Sequence, residues 1–337
     1  MRICTIFTGG TIGSVVNESG YIGPKEGTPF RLLQLYREKF GDDIEFVERE
    51  PYRILSENLS ADNLLLLVKT ITEVISQKDI QGIIVTHGTD TLQYTSAVLG
   101  YVFANAGIPV VLVSSNYVLD DERANGLVNL QYGIEFIKGR YGKGVFVSYC
   151  NQGEMPTIHR ATRLQPPVPY SDYVSSICDT WYGRFENGKY RANPKYTVME
   201  ETVSMFESVE EVQLLPASNQ IVRIVPYVGM EYPELQLESK VILHGSFHSG
   251  TICMDDKLRL FAKKAKEKEI PFYLTGLLSG EKAYETVQSY KELGIISLQT
   301  SAEISQYCKL WLAISNNMDI QQVMSTSYAE DWVPVFG

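Results

Sequence analysis

Four short apolar runs rich in β-branched residues, 2–7, 82–86, 109–114 and 145–149, recur through the first half of the chain and alternate with helical patterns. Such alternation is best satisfied by strands lying side by side and parallel under layers of helix, so it predicts an α/β fold built on a parallel sheet. Between the first two runs, Ser60 stands as an N-cap before Leu64, Leu67, Val68, Ile71 and Ile75. Their three- and four-residue spacing predicts a helix that covers one face of the sheet. The longest uncharged stretch, 91–119, is interrupted by Gln93, Thr95, Ser96, Asn105, Gly107 and Pro109. It reads as a buried helix, a turn and a strand rather than as a membrane span.

From about 190 to 218 the pattern lapses into Pro, Tyr, Glu and Ser, and then a second α/β series begins. Its strand candidates are 221–225, 241–244 and 271–274, with a helix at 257–268, and Thr300 with Glu303 forms a capping box for a helix through Ile304, Cys308 and Trp311. A chain of 337 residues has room for two domains at roughly 150 residues each. The expected division is a larger N-terminal catalytic domain at 1–190, a linker at 191–219 and a smaller C-terminal α/β domain at 220–337. The Tyr-rich segment 170–196, with Trp181, is a candidate subunit contact.

A formal charge of −10 has the wrong sign for gripping nucleic acid or anionic lipid, which leaves a small molecule as the expected partner. No basic segment, apolar stretch and cleavage site precede the first strand, and the five cysteines are scattered without a Cys-x-x-Cys pair. Both features predict a cytoplasmic protein with inert core thiols and no membrane association.

Two strands end in threonine-bearing turns. The first runs into Thr8-Gly9-Gly10-Thr11-Ile12-Gly13-Ser14, and the second into Thr86-His87-Gly88-Thr89-Asp90-Thr91. Glycines let a backbone turn sharply and approach a ligand, and open parallel sheets bind ligands beyond the carboxyl ends of their strands. Taken alone, Gly-Gly-Thr is equally a tight strand-to-helix turn, Asp90 a helix N-cap and His87 a buried, hydrogen-bonded histidine. Their conjunction at two carboxyl ends points to one crevice. A dehydrogenase turn fits less well, because Val15 occupies the next glycine position and the Tyr-x-x-x-Lys spacing falls only at Tyr21 and Lys25, in a Gly/Pro loop. Of the four histidines, only His244 and His248 have a helical ligand spacing, and they flank a loop-like Gly245-Ser246-Phe247. Neither a cofactor nor a metal is expected.

The two motifs, in this order and separation, resemble the two signatures of the bacterial-type L-asparaginases. Leu55-Ser56-Glu57-Asn58, 109–113, Arg160-Ala161-Thr162-Arg163 and Lys309-Leu310-Trp311-Leu312 extend the resemblance along the chain, and the cytoplasmic type I branch is the most similar. The resemblance implies a larger N-terminal parallel-sheet domain, a smaller flavodoxin-like C-terminal domain, and a homodimer or homotetramer. It also implies hydrolysis of L-asparagine to L-aspartate and ammonia, with L-glutamine or D-asparagine as further substrates. By this resemblance Thr11 is the nucleophile that forms an acyl-enzyme, and Tyr21, on a lid at 14–28, hydrogen-bonds and activates it. Thr89 and Asp90 form the second catalytic pair, with Asp90 also holding the substrate α-amino group, and Ser56 takes the α-carboxylate. Glu57 departs from the serine or glutamine usual after that serine, and either adds a carboxylate beside the amino-group pocket or is simply solvated.

Arg163 stands where the family normally has a lysine that partners Thr89 and Asp90. Arginine stays charged and cannot relay a proton as lysine does. Three outcomes are open: Arg163 supports Asp90 and Thr89 electrostatically, the substrate differs, or the chain is a weak or inactive amino-acid-binding relative. An amidotransferase subunit acting on charged tRNA shares these motifs, but is expected to carry an added N-terminal region.

Overall fold

The computed structural model describes the chain except residues 18, 25–27, 200–202, 217–218, 277–283 and 335–337. In chain order the strands are β1 (Arg2–Phe7), β2 (Ser14–Val16), β3 (Ile22–Pro24), β4 (Glu45–Arg49), β5 (Gly82–Thr86), β6 (Pro109–Val113), β7 (Gly144–Tyr149), β8 (Thr157–Arg160), β9 (Gly183–Glu186), β10 (Lys189–Ala192), β11 (Ile221–Ile224), β12 (Val241–His244), β13 (Phe272–Leu274) and β14 (Ile295–Ser297). The helices are α1 (Thr28–Phe40), α2 (Ala61–Ile75), α3 (Leu92–Val102), α4 (Gly126–Gly139), α5 (Asp256–Glu267), α6 (Thr286–Glu292), α7 (Glu303–Ser315) and α8 (Ile320–Met324).

The larger sheet runs β10-β9-β8-β7-β6-β5-β1-β4, with its parallel part from β4 to β7 and β8 to β10 added antiparallel. Successive strand residues point to opposite faces, so each apolar run feeds two cores. Cys4, Ile6, Val85, Leu112 and Val147 enter one core closed by α2, α3 and α7. Ile3, Phe7, Ile84, Val111 and Phe146 enter the other, closed by α1 and α4. The smaller sheet, β11-β12-β13-β14, is all parallel and packs on α5.

The four apolar runs expected as strands are β1, β5, β6 and β7, and the uncharged stretch holds α3 and β6. Ser60 caps α2 as expected: its Oγ accepts the Asn63 N–H at 3.2 Å, and the Asn63 side chain accepts the Ser60 N–H at 3.1 Å. Val74, not Ile75, completes the buried stripe. Strand β4 and the antiparallel strands give no signal as buried apolar runs, since Glu45, Glu48, Arg49, Arg184, Glu186, Lys189 and Arg191 break the pattern. The Thr300–Glu303 capping box does not form. Helix α7 starts at Glu303 behind Ala302 without a side-chain cap. The Glu303 carboxylate instead accepts Arg223 at 2.8 Å, a charge-assisted bond that outcompetes a neutral backbone donor. Arg223 also donates to the Tyr94 hydroxyl at 3.1 Å, joining α3, α7 and β11. The cysteines are all free, but Cys178 and Cys253 are exposed rather than core thiols.

Between β10 and β11, Met205 and residues 212–215 pack along α7 and its core. Leu215 accepts the Trp311 indole N–H, Asn316 exchanges bonds with Gln213, and Met205, Val212 and Leu214 are buried in the α2/α3/α7 core. Within the Tyr-rich segment, Tyr182, Tyr190 and Tyr196 belong to an aromatic cluster with Phe136, Phe146 and Tyr141, whereas Tyr170 and Tyr173 are exposed. No helix among the described residues is long and apolar enough to cross a membrane.

The C-terminal segment is tied into the larger sheet's helices by buried charge. Lys309 Nζ lies 2.8 Å from Asp331 Oδ2, and the Tyr101 hydroxyl donates to the same oxygen at 3.0 Å. Lys309 and Asp331 are 1% and 0% exposed, so either charge left alone would be stranded away from water. We expect Lys309→Met or Asp331→Asn to lower unfolding free energy by about 3–5 kcal/mol in urea titrations, with the double substitution Lys309→Met/Asp331→Leu recovering part of the loss.

Candidate active site

The carboxyl ends of β1, β4 and β5 converge because Phe7 is in register with Thr86 and the chain leaving β4 runs on parallel to the β1 turn, with Ile54 beside Gly9. Thr8 Oγ1 donates to Thr86 O at 2.6 Å, which fastens the first turn to the second. Gly10 N–H donates to Ile54 O at 2.9 Å and Ile54 N–H to Thr8 O at 3.1 Å, which fastens it to the third segment. Gly9 and Gly10 have φ of 103° and 76°, the left-handed region that glycine enters without strain. A Cβ on Gly10 would lie 2.4 Å from the Gly88 Cα, and one on Gly88 would lie 2.4 Å from Ser56 Oγ. The two threonine turns therefore meet backbone to backbone, with Ser56 at the joint.

Thr11 and Thr89 follow the touching glycines by one residue each, and both are partly exposed. Thr11 opens a short 3-10 turn, Thr11–Gly13, locked by Ser14 Oγ donating to Gly10 O at 2.8 Å. Asp90 is exposed, and its Oδ2 lies 3.4 Å from Ser56 Oγ. Thr91 Oγ1 donates to Ser56 O at 2.9 Å, and Gln93 Nε2 to Asp90 O at 3.1 Å. The N-cap of α3 is Thr91, without a side-chain cap bond, so Asp90 does not serve as that cap. Glu57 follows Ser56 but is exposed to solvent. Thr11, Ser56, Thr89 and Asp90 are thus gathered at one place.

Two expected residues are not part of that gathering. Tyr21 lies at the tip of the β2–β3 hairpin, 74% exposed; its N–H donates to Asn17 Oδ1, and its C=O accepts the Asn17 N–H. Among the described residues its hydroxyl makes no hydrogen bond to Thr11. Arg163, expected beside Asp90, is 0% exposed and faces the C-terminal segment. Its Nε donates to Glu330 O at 2.7 Å, and its Nη2 to Thr197 O at 2.9 Å and Trp332 O at 3.1 Å, with the guanidinium 4.2 Å from the Tyr196 ring centroid. Thr162 Oγ1 and Arg160 bind the same segment, at Ala329 O and the Glu330 carboxylate. The rigid fork of arginine matches this array of carbonyls, which corrects its reading as an electrostatic support for Thr89 and Asp90.

Thr89 and Asp90 form one side of a cleft of about 240 Å³ whose other wall is 167–172 with Val174. That is below the roughly 300–1,000 Å³ usual for drug-sized ligands and suits a small metabolite. Thr11 stands outside this cleft. The wall is missed by motif reading, although Pro166, Pro167, Pro169 and exposed Tyr170 mark a stiff excursion. A larger cavity of about 600 Å³, lined by Met1, Lys78 and Arg140, lies at the amino ends of the strands, away from the threonine turns. Among the described residues no His, Cys, Asp and Glu group is arranged to hold a metal. Because Gly88 packs against Ser56, we expect Gly88→Ala to push the two turns apart and lower thermal stability, and Gly88→Ala crystals to show Ser56 Oγ displaced from Asp90.

The family model described as Asparaginase, N-terminal, matches residues 2–180. The chain is 23% identical over 330 residues to an L-asparaginase of Thermococcus kodakarensis, covering 96% of this chain and 95% of that one. It is 26% identical over 335 residues to a glutamyl-tRNA(Gln) amidotransferase subunit of Methanobrevibacter smithii, covering 96% of this chain and 74% of that one. Its fold matches the solved L-asparaginase of Thermococcus kodakarensis with a TM-score of 0.79 at 21% identity, over 99% of this chain and 100% of that one. It also matches L-asparaginase I of Vibrio cholerae with a TM-score of 0.78 at 20% identity, over 98% of each chain. With the family match spanning more than half its length, the chain belongs to the asparaginase family.

Proposed function

We propose that this amidohydrolase of the asparaginase family hydrolyses L-asparagine to L-aspartate and ammonia through a threonine nucleophile, without a cofactor. The observation that carries the reading is the glycine joint, which brings the Thr11 and Thr89 turns together beside Ser56 and Asp90. In this reading Thr11 Oγ attacks the side-chain carbonyl carbon, its proton passes to the departing nitrogen, and ammonia leaves an aspartyl ester. Water then cleaves the ester, assisted by Thr89 and the Asp90 carboxylate, and Thr11 regains its proton. Ser56 Oγ donates to the α-carboxylate, and Asp90 with Glu57 receives the α-ammonium. The β2–β3 hairpin closes over the bound substrate to bring Tyr21 toward Thr11. Cytoplasmic location and assembly as a homodimer or homotetramer complete the proposal, supported by the family resemblance.

Ammonia release should be measured with L-asparagine, L-glutamine and D-asparagine in parallel. We expect L-asparagine to be the best substrate and Thr11→Ala or Thr89→Val each to lower kcat at least about 1,000-fold. Release unaffected by both substitutions sinks the assignment.

A second reading, an amino-acid-binding relative with little turnover, draws on one observation: among the described residues the walls of the Thr89–Asp90 cleft carry no lysine or arginine. Calorimetry giving tight aspartate binding without ammonia release would favour it. Because Arg163 is committed to three carbonyls, we expect Arg163→Lys to cost about 1–3 kcal/mol of stability and to add no activity. A gain of turnover would instead mean that this segment can present an amine to Thr89.

A further inference from the structure

We infer that His87 is a positioning residue that aims the Thr89 backbone N–H into the cleft. His87 is 2% exposed beneath the second turn, and burial pulls its pKa from 6.5 down to about 4, so the ring is neutral near pH 7. Its Nδ1 lies 2.8 Å from Gly88 O, and its Nε2 lies 2.8 Å from Thr95 Oγ1 on α3. A carbonyl can only accept, so Nδ1 carries the proton and Nε2 accepts the Thr95 hydroxyl. The tautomer follows from the geometry.

The Gly88–Thr89 peptide is trans, as are all peptides among the described residues, so its C=O and N–H point in opposite directions. With the carbonyl drawn onto the buried ring, which is itself tied to α3 through Thr95, the Thr89 N–H points away from that ring, and Thr89 is one of the residues lining the cleft. Among the described residues that N–H has no hydrogen-bond acceptor. A preset donor of this kind is what a developing oxyanion needs, since it requires no reorganisation as charge forms. The same device recurs at the end of β12, where His244 Nδ1 lies 2.5 Å from Gly245 O. A histidine leaving a parallel strand before a glycine can thus set the next peptide. The catalytic use of the donor rests on the asparaginase reading above; its orientation does not.

Three variants separate the orientation of the donor from its catalytic use. His87→Asn keeps a donor at the Nδ1 position, His87→Gln keeps one only at the Nε2 position, and His87→Leu keeps neither. In long-range ¹H–¹⁵N spectra the wild-type ring should be the Nδ1–H tautomer. The Thr89 amide resonance should shift in His87→Leu and His87→Gln and return in His87→Asn. An unmoved Thr89 amide, or an Nε2–H ring, overturns the inference whether or not the protein turns over asparagine. Where ammonia is released, His87→Leu and His87→Gln should lower kcat about 100-fold with KM changed little, and His87→Asn should restore most of it. Equal losses in all three, or a loss confined to KM, would make His87 a packing residue only. Absence of release by wild type would refute the asparaginase reading while leaving the amide measurement to decide the orientation.

Discussion

Everything at the site depends on two backbones touching. Gly10 and Gly88 approach so closely that a methyl group on either would overlap neighbouring atoms, and this contact is possible only because β1 and β5 are adjacent, parallel and in register. Parallel neighbours deliver their carboxyl ends to the same edge of a sheet, so the Thr11 and Thr89 turns, far apart along the chain, become one surface. The Thr8-to-Thr86 bond and the Ile54 bridge then hold that surface rigid.

A second constraint lies on the far side of α3. This helix is buried along nearly its whole length, between the sheet and α7, and carries Thr95 toward His87 and Tyr101 toward Asp331. The C-terminal segment that Asp331 anchors is also where Arg160, Thr162 and Arg163 direct their donors. The residues after β8 thereby brace the scaffold behind the site, while the cleft wall at 167–174 comes from the chain just beyond them. Arg163 shows how a residue matched in sequence can turn away from the role it suggests, because a long side chain on a fixed backbone position can reach toward either side.

Much of the fold was legible because buried parallel strands write themselves as continuous apolar runs and α2 as a capped three-four stripe. Strand β4 and the antiparallel β9 and β10 were not, since a half-covered strand tolerates the charges that erase the pattern, and the fully buried β8 is masked by Thr157, His159 and Arg160. The Thr300–Glu303 capping box misleads because local spacing cannot anticipate that Arg223, 80 residues away, takes the same carboxylate. For the site, the turns bearing Thr11, Thr89 and Asp90 stand out in the sequence and Ser56 enters through the family resemblance, but Tyr21 and Arg163 could not be placed. Their distance from the joint is set by a hairpin and by a tail whose positions no local pattern records.

By itself the sequence determined the α/β class, the places of the main parallel strands along the chain and the two glycine-threonine turns, because these follow from burial and backbone freedom at neighbouring residues. Only the tertiary structure decided which side chains meet: that Gly10 rests on Gly88, that Asp90 reaches Ser56 instead of capping α3, and that Arg163 faces the C-terminal carbonyls. Those outcomes are competitions among partners far apart in the chain, and only the folded geometry brings the competitors within reach of one another.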